Sequence, residues 1–182
     1  MRNRTRAILA VAVMLMLIPA LRADQAAATS SRTLPAALEP LAFLLGTWGL
    51  PKTDPSGATA GTATFATSLQ DRVIIRTSFA AYPATATSGP SRHDDLMIIY
   101  AAGPALIRAD YFDNEGHVIR YTVTVKGTAD VLFESDTIAG EPRYRLTYVL
   151  APDGLLRGTF SIAPPGMPDA FGQYLAWASR KM

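Results

Sequence analysis

The sequence has no cysteine and only two histidines, His93 and His117. Without thiols no disulfide can form, so the fold has to be stabilised by its own hydrophobic core. A zinc site takes three or four protein ligands, and the only local candidate is His93 beside Asp94 and Asp95. We interpret that segment as the polar edge of a strand, so the sequence predicts no metal and no cofactor.

Basic clusters and catalytic signatures are missing as well. The chain has 17 Lys and Arg against 15 Asp and Glu, of which residues 29–182 keep 13 and 14. Nucleic-acid-binding proteins and membrane-surface patches carry clustered Lys and Arg, so we expect no nucleic-acid partner. Gly-x-Ser-x-Gly, P-loop and dinucleotide-binding motifs are absent too, and the sequence identifies no catalytic residue.

The N-terminal segment has the order of a secretory signal peptide. Arg2, Arg4 and Arg6 precede an apolar run at 7–21, which is followed by small residues. The apolar run is 15 residues long, shorter than the ~20 residues that a membrane-spanning helix needs. An uncleaved anchor is the alternative interpretation.

Signal cleavage after Ala23 or Ala28 would remove this segment. We therefore expect a signal peptide over residues 1–28 and a single domain over 29–182. The mature protein is predicted to be periplasmic or secreted, without stable insertion in a membrane.

The rest of the chain reads as a succession of short strands. Turn signals recur at intervals of roughly 8–14 residues, which favours an all-β sandwich or barrel over alternating strands and helices. After a first strand at Trp48, the predicted strands lie near 60–69, 72–82, 94–101, 105–113, 117–126, 130–136, 142–151 and 155–163. We predict an antiparallel up-and-down β-barrel of about 8–10 strands. In the segment DLMIIY, residues 96–100 are apolar at consecutive positions, which predicts a strand covered on both faces.

The clearest hairpin surrounds the loop DNEG. If Asp113 faces His117, the apolar face pairs Tyr111 with Ile119, Ala109 with Tyr121 and Ile107 with Val123. The other face carries Arg108, Asp110 and Arg120, which we place in solvent because charged residues are rarely buried. Turned inward, they would instead form a charged pocket for a carboxylate-bearing ligand.

Both ends of the domain are predicted to be helical. The lead-in LPAALEPLAFLLG indicates one or two short helical turns that end at Gly46. The tail PDAFGQYLAWASRKM predicts a C-terminal helix with Asp169 as its N-cap. The residues on its apolar face would be Phe171, Tyr174, Leu175 and Ala178.

The order of lead-in, Gly46-Thr47-Trp48, antiparallel strands and tail resembles the calycin group, the lipocalin-like barrels. The resemblance implies that Trp48 plugs the closed end and that a late arginine, here Arg180, packs over it. Residues 38–182 also resemble uncharacterised exported bacterial proteins that share FLLGTW and RADYFDNEGHVIRY. That resemblance implies architecture and export but no activity.

Nitrobindin, a haem-binding barrel, has a similar start. Its glycine-rich run after the tryptophan is not reproduced here, and its haem-ligating histidine lies late in the chain. No histidine follows His117, so this resemblance does not imply haem.

Five side chains on the predicted inner faces are candidates for binding a ligand: Tyr111, His117, Tyr121, Tyr144 and Tyr148. A buried hydroxyl or imidazole without a partner costs about 1–3 kcal/mol, so each needs a mutual hydrogen bond or a ligand. The alternatives are that His117 bonds the adjacent turn and that the tyrosines are core. Trp48 and Arg180 are assigned structural roles.

A barrel of about eight strands has room for one small ligand. The sequence therefore predicts an exported barrel that binds a small, mostly apolar or amphipathic molecule. One alternative is a barrel isomerase or hydrolase with His117 as general base, although no nucleophile lies at readable spacing from it. The other is an interaction protein whose interior is filled by side chains.

Overall fold

The computed structural model describes residues 33–51 and 54–182; the predicted signal peptide lies outside the described residues. The described chain forms one 3-10 helix, Glu39–Leu44, and ten strands. The strands are β1 (Gly46–Gly49), β2 (Ala60–Ser68), β3 (Val73–Tyr82), β4 (Ser91–Ala101), β5 (Ile107–Asp113), β6 (Val118–Val125), β7 (Asp130–Ser135), β8 (Arg143–Leu150), β9 (Leu155–Ala163) and β10 (Gly172–Lys181).

The ten strands close into an antiparallel barrel. Each strand pairs with the next one along the chain, and β1 pairs with β10 to join the two borders of the sheet. In the closing pair, Trp48 lies opposite Lys181 and Gly49 opposite Arg180. The predicted fold class, an up-and-down barrel of 8–10 strands, is confirmed. No helix of the described residues is long and apolar enough to span a bilayer.

The short helix closes one end of the barrel, which we call the helix end. Leu38, Leu41 and Leu44 are all fully buried, so the helix inserts its apolar side into the barrel. The indole Nε1 of Trp48 donates to the carbonyl of Leu44 at 2.7 Å. Gly46, between them, has φ +118°, a backbone conformation that residues with a Cβ rarely adopt. The predicted helical lead-in and its glycine stop are confirmed.

Inward and outward side chains alternate along each strand, as the two-residue period requires. The half of the interior next to the helix is packed with apolar groups. The largest are the fully buried side chains of Trp48, Phe65, Ile74, Met97, Ile99, Tyr121, Phe133, Tyr148 and Leu156. Their rings make edge-to-face contacts, as between Phe133 and Tyr148 with centroids 6.1 Å apart. This packing stabilises the fold without cross-links.

The predicted β5–β6 hairpin is correct in register. Tyr111 pairs with Ile119 and Ala109 with Tyr121, and the amide of Asp113 donates to the carbonyl of His117 at 3.3 Å. The charged face is on the outside. There Arg108 donates to Thr122 at 2.8 Å and to Asp136 at 2.7 Å.

The predicted C-terminal helix is wrong, because Gly172–Lys181 is strand β10. A β-bulge between Gln173 and Leu175 shifts the register against β9. A bulge adds one residue to one strand and breaks its two-residue alternation. The resulting spacing of apolar residues imitates the spacing of a helix.

The strand assignment also changes which cation covers Trp48. Consecutive residues of a strand point to opposite faces, so Arg180 and Lys181 lie on opposite faces of β10, and both are exposed. The ammonium Nζ of Lys181 lies 5.4 Å from the centroid of the Trp48 ring. The cation expected at Arg180 is therefore found one residue later, at Lys181.

The prediction that β4 is covered on both faces is wrong as well. Met97 and Ile99 are fully buried inside, but Leu96 on the outer face is 36% exposed. Its neighbours across the sheet are the exposed Phe112 and, one strand further, Val118. The run of apolar residues in β4 thus includes an apolar strip on the outer surface.

Candidate ligand-binding site at the open end of the barrel

The end of the barrel opposite the helix is where inward side chains reach solvent, and we call it the open end. The odd-numbered strands run from the helix end toward it, and the even-numbered strands run back. Inward side chains near this end are only partly buried: Tyr111, Tyr144 and Phe160 all retain accessible surface. The open end is therefore the place where a small molecule could contact the interior.

One wall of the open end is polar and is built by β3, β4 and β5. Arg76 points inward, with its Nη1 3.1 Å from Oδ1 of Asp95, and the two side chains are only 9% and 4% exposed. Ser78 lies beside them: its hydroxyl donates to Asp95 Oδ2 at 2.7 Å and accepts from Arg76 Nη2 at 3.0 Å. A buried ion pair thus lies inside the barrel, on the mouth side of the apolar core.

A row of hydrogen bonds continues from this wall to the rim. The ring of His93 is 3.0 Å from Glu115 through Nδ1 and 2.9 Å from the hydroxyl of Tyr111 through Nε2. The Tyr111 hydroxyl lies 3.2 Å from Asp113 Oδ2, which is also 2.8 Å from Nδ1 of His117. Because a phenol has a single proton, Tyr111 donates either to Asp113 or to His93.

The surroundings shift the pKa values of three groups inside or beside the open end: Tyr111, Tyr148 and Asp113. Burial, together with the carboxylates of Asp95 and Asp113, raises the pKa of Tyr111, and burial raises the pKa of Tyr148 to about 12. Burial also acts to raise the pKa of Asp113, but hydrogen bonds from the amide and ring of His117 outweigh it and lower that pKa. At neutral pH both phenols are therefore protonated, and Asp113 is an anion.

The facing wall is aromatic and is built by β8, β9 and β10. The rings of Tyr144 and Phe160 are stacked, with centroids 5.8 Å apart and planes 10° apart. The indole of Trp177 meets the ring of Tyr148 edge-on, with centroids 5.9 Å apart. Trp177 covers Gly158 so closely that a Cβ on this glycine would lie 2.1 Å from the indole. The glycine leaves the space that the indole occupies.

Three buried polar atoms of the site have no hydrogen-bond partner among the described residues: Arg76 Nε, Asp95 Oδ1 and the hydroxyl of Tyr148. Asp95 Oδ1 is close to Arg76 Nη1 but is not aligned for a hydrogen bond. The guanidinium of Arg76 lies 5.8 Å from the centroid of the Tyr148 ring. The three atoms therefore belong to one cluster in the middle of the barrel, where an unpaired polar group costs about 1–3 kcal/mol.

The structure brings four of the five predicted ligand-binding residues to the inner face. Tyr111 and Tyr144 lie at the open end, whereas Tyr121 and Tyr148 are each 1% exposed, deeper in the barrel. His117 lies outside this group: its side chain is 54% exposed and is hydrogen-bonded to Asp113 in the β5–β6 turn. That contact is the one expected from the alternative interpretation of His117.

Sequence reasoning missed the polar core of the site. Arg76 was not a candidate, and Asp95 was considered beside His93 as a possible metal ligand, whereas in the structure it pairs with Arg76. A signal for Arg76 was present, because it falls on the same alternating face of β3 as the buried Ile74.

Two other features near the rim lie on the outside of the barrel. The β9–β10 loop is held to the outer face of β8, where Arg143 donates to the carbonyl of Pro168 at 3.1 Å and Arg145 lies 3.8 Å over the Phe171 ring. A polar pocket of about 300 Å³ lies on the outer faces of β6 and β7. It is lined by Thr122, Thr124, Leu132, Glu134, Ser135, Asp136, Thr137 and Arg143.

Within the described ranges, no group of three or more His, Asp or Glu side chains is arranged to hold a metal ion.

A scan of the chain against protein-family models finds no match, and a search of curated proteins finds none either. The class that the fold defines is a closed, ten-stranded antiparallel β-barrel, which is consistent with a lipocalin-like barrel.

Proposed function

We propose that this protein is an exported, lipocalin-like barrel that binds one small amphipathic molecule through its open end. The observation that carries the proposal is the asymmetry of the interior. The helix end is sealed by Leu41, Leu44 and Trp48, which are at most 2% exposed. Near the open end the inward-pointing Tyr144 and Phe160 are only partly buried.

The two facing walls support an amphipathic rather than a purely apolar ligand. In a ten-stranded ring, β4 is opposite β9, so the wall with Asp95 faces the wall with Phe160. A molecule between them would stack an apolar face on the aromatic wall and turn polar atoms toward the ion pair. Ligand sites commonly combine aromatic surface with a few placed polar groups in this way.

Binding of N-phenyl-1-naphthylamine, a fluorescent apolar probe, tests the proposal. We expect saturable, one-site binding to the full chain, and we expect Phe160→Leu to weaken it several-fold. Phe112→Leu is the matched control, because Phe112 is a 40% exposed aromatic residue on the outer surface. Equal weakening by both substitutions, or no saturable binding, would contradict an interior site.

Export is the second part of the proposal and rests on the N-terminal sequence. Fusing residues 1–28 to a reporter that is active only outside the cytoplasm would test it. We expect an active reporter and a processed N-terminus after Ala23 or Ala28. An inactive, unprocessed fusion would remove the periplasmic or secreted location from the proposal.

The enzymatic alternative is favoured by one observation, and it concerns His93 rather than His117. A carboxylate, an imidazole and a phenol are aligned as Glu115–His93–Tyr111 with distances of 3.0 and 2.9 Å. Such an alignment allows general acid–base catalysis. Hydrolysis of p-nitrophenyl acetate that disappears in His93→Gln but persists in His117→Gln would support this alternative.

A further inference from the structure

We infer that the ligand is an uncharged molecule whose polar end carries both a hydrogen-bond donor and an acceptor, and that this end docks on Arg76, Asp95 and Tyr148. This inference rests on the proposed function, because it specifies the chemistry of the molecule that enters the open end. Primary carboxamides are the simplest members of the class.

The three buried polar atoms without a hydrogen-bond partner in the described chain determine which hydrogen-bonding groups the ligand must carry. Arg76 Nε can only donate, Asp95 Oδ1 can only accept, and the Tyr148 hydroxyl can do both. All three are buried and have no hydrogen-bond partner among the described residues, although Asp95 Oδ1 lies 3.1 Å from Arg76 Nη1 in the ion pair. A ligand that satisfies the first two must therefore present an acceptor and a donor side by side.

The charge of the site determines the charge of the ligand. The positive charge of Arg76 is balanced by Asp95, 3.1 Å away, and the raised pKa of Tyr148, about 12, keeps that phenol neutral. Tyr111 is neutral for the same reason. A carboxylate or an ammonium group placed here would be a third buried charge without a counter-ion, which is strongly unfavourable.

The aromatic neighbours determine how the ligand enters. Strand β8 runs from the open end toward the helix end, so Tyr144 lies on the mouth side of Tyr148. The stacked rings of Tyr144 and Phe160 therefore lie nearer the mouth of the barrel than Tyr148 does. The ligand has to displace or slide along these rings, and a flat apolar body is suited to that path.

Four probes with the same ring test the inference by isothermal titration calorimetry at pH 7: 2-naphthamide, 2-naphthoate, 2-(aminomethyl)naphthalene and 2-methylnaphthalene. We expect the amide to bind at least tenfold more tightly than the anion, the cation or the hydrocarbon. If the anion, the cation or the hydrocarbon binds as tightly as the amide, the inference is overturned while the proposed function stands. If none of the four binds, the proposed function fails and the inference fails with it.

A variant that lacks only the Tyr148 hydroxyl provides a second test, read out as protein stability and amide affinity. Tyr148→Phe removes a hydroxyl that has no hydrogen-bond partner in the part of the chain that the structure describes, so we expect the free protein to become no less stable. The same change is expected to weaken 2-naphthamide binding by about two- to tenfold, the value of one net hydrogen bond. The matched control is Tyr100→Phe, whose hydroxyl donates to Asp110 at 3.3 Å on the outer surface. Unchanged amide affinity in Tyr148→Phe would overturn the assignment of this group to the ligand.

Discussion

The Arg76–Asp95 pair gives the sharpest prediction about stability. At 3.1 Å and an effective dielectric constant of about 20, the attraction of two unit charges is about 5 kcal/mol. Burial of each ion opposes this by several kcal/mol. The pair as a whole therefore adds little, but either partner alone is a buried charge without compensation.

We expect Arg76→Met and Asp95→Asn each to destabilise the fold by about 3–5 kcal/mol. The double variant is expected to cost less than the sum of the two by at least about 2 kcal/mol, since it removes both charges together. Urea denaturation followed by tryptophan fluorescence at pH 7 measures all three. The control is the exposed pair Arg92–Asp94, where each single change is expected to alter the free energy of unfolding much less than either interior change.

Additive effects of the two interior substitutions, within about 0.5 kcal/mol, would refute this reasoning. They would mean that water reaches the pair and screens it. The buried environment assigned to the unpaired Arg76 Nε and Asp95 Oδ1 would then be wrong too.

Two further changes follow from single contacts. Gly158→Ala places a methyl group 2.1 Å from the Trp177 indole, so we expect overpacking to lower the free energy of unfolding by about 1–3 kcal/mol and to alter the tryptophan emission spectrum. The control is Gly127→Ala, where a Cβ meets nothing within 4 Å. Equal destabilisation by the two substitutions would contradict the close packing of Trp177 on Gly158. Asp113→Asn tests the lowered pKa of Asp113: the stabilisation by the ionised carboxylate is complete above its ordinary pKa of about 4 and disappears as the pH falls through the lower native value. The difference in unfolding free energy between wild type and variant is therefore expected to shrink below about pH 4. A difference that grows there would contradict a lowered pKa of Asp113.

Much of the fold could be predicted because a strand exposes its two faces in strict alternation. The β5–β6 hairpin shows this most clearly: the loop fixes the register, and the pairing of Ala109 with Tyr121 follows from it. The helix end was predictable for a similar reason, because the lead-in presents leucines at helical spacing before a glycine and a tryptophan. The C-terminal strand was not predictable, since the bulge at Gln173–Leu175 interrupts the alternation by which a strand is recognised in a sequence.

The inward position of Arg76 follows from alternation, but its pairing with Asp95 could not be predicted from local pattern. Charged residues are almost always outside, so an isolated Arg76 in an apolar strand gives no sign of a partner. Its partner, Asp95, lies on the next strand, and Ser78 faces Asp95 only in the observed pairing of β3 with β4. Buried ion pairs depend on such register between strands, which a single sequence does not specify. The tyrosines were found because their positions depend on alternation alone.

The pairing of β1 with β10 also has a consequence for folding. All other strand pairs join neighbours in the sequence and can form as hairpins while the chain is still emerging, but Trp48 meets Lys181 only when the last strand is available. Until then the growing sheet has two unpaired borders, which are templates for intermolecular association. Strand β10 therefore closes the barrel, and deleting it would leave an open, curved sheet with two unpaired edge strands that is prone to aggregate.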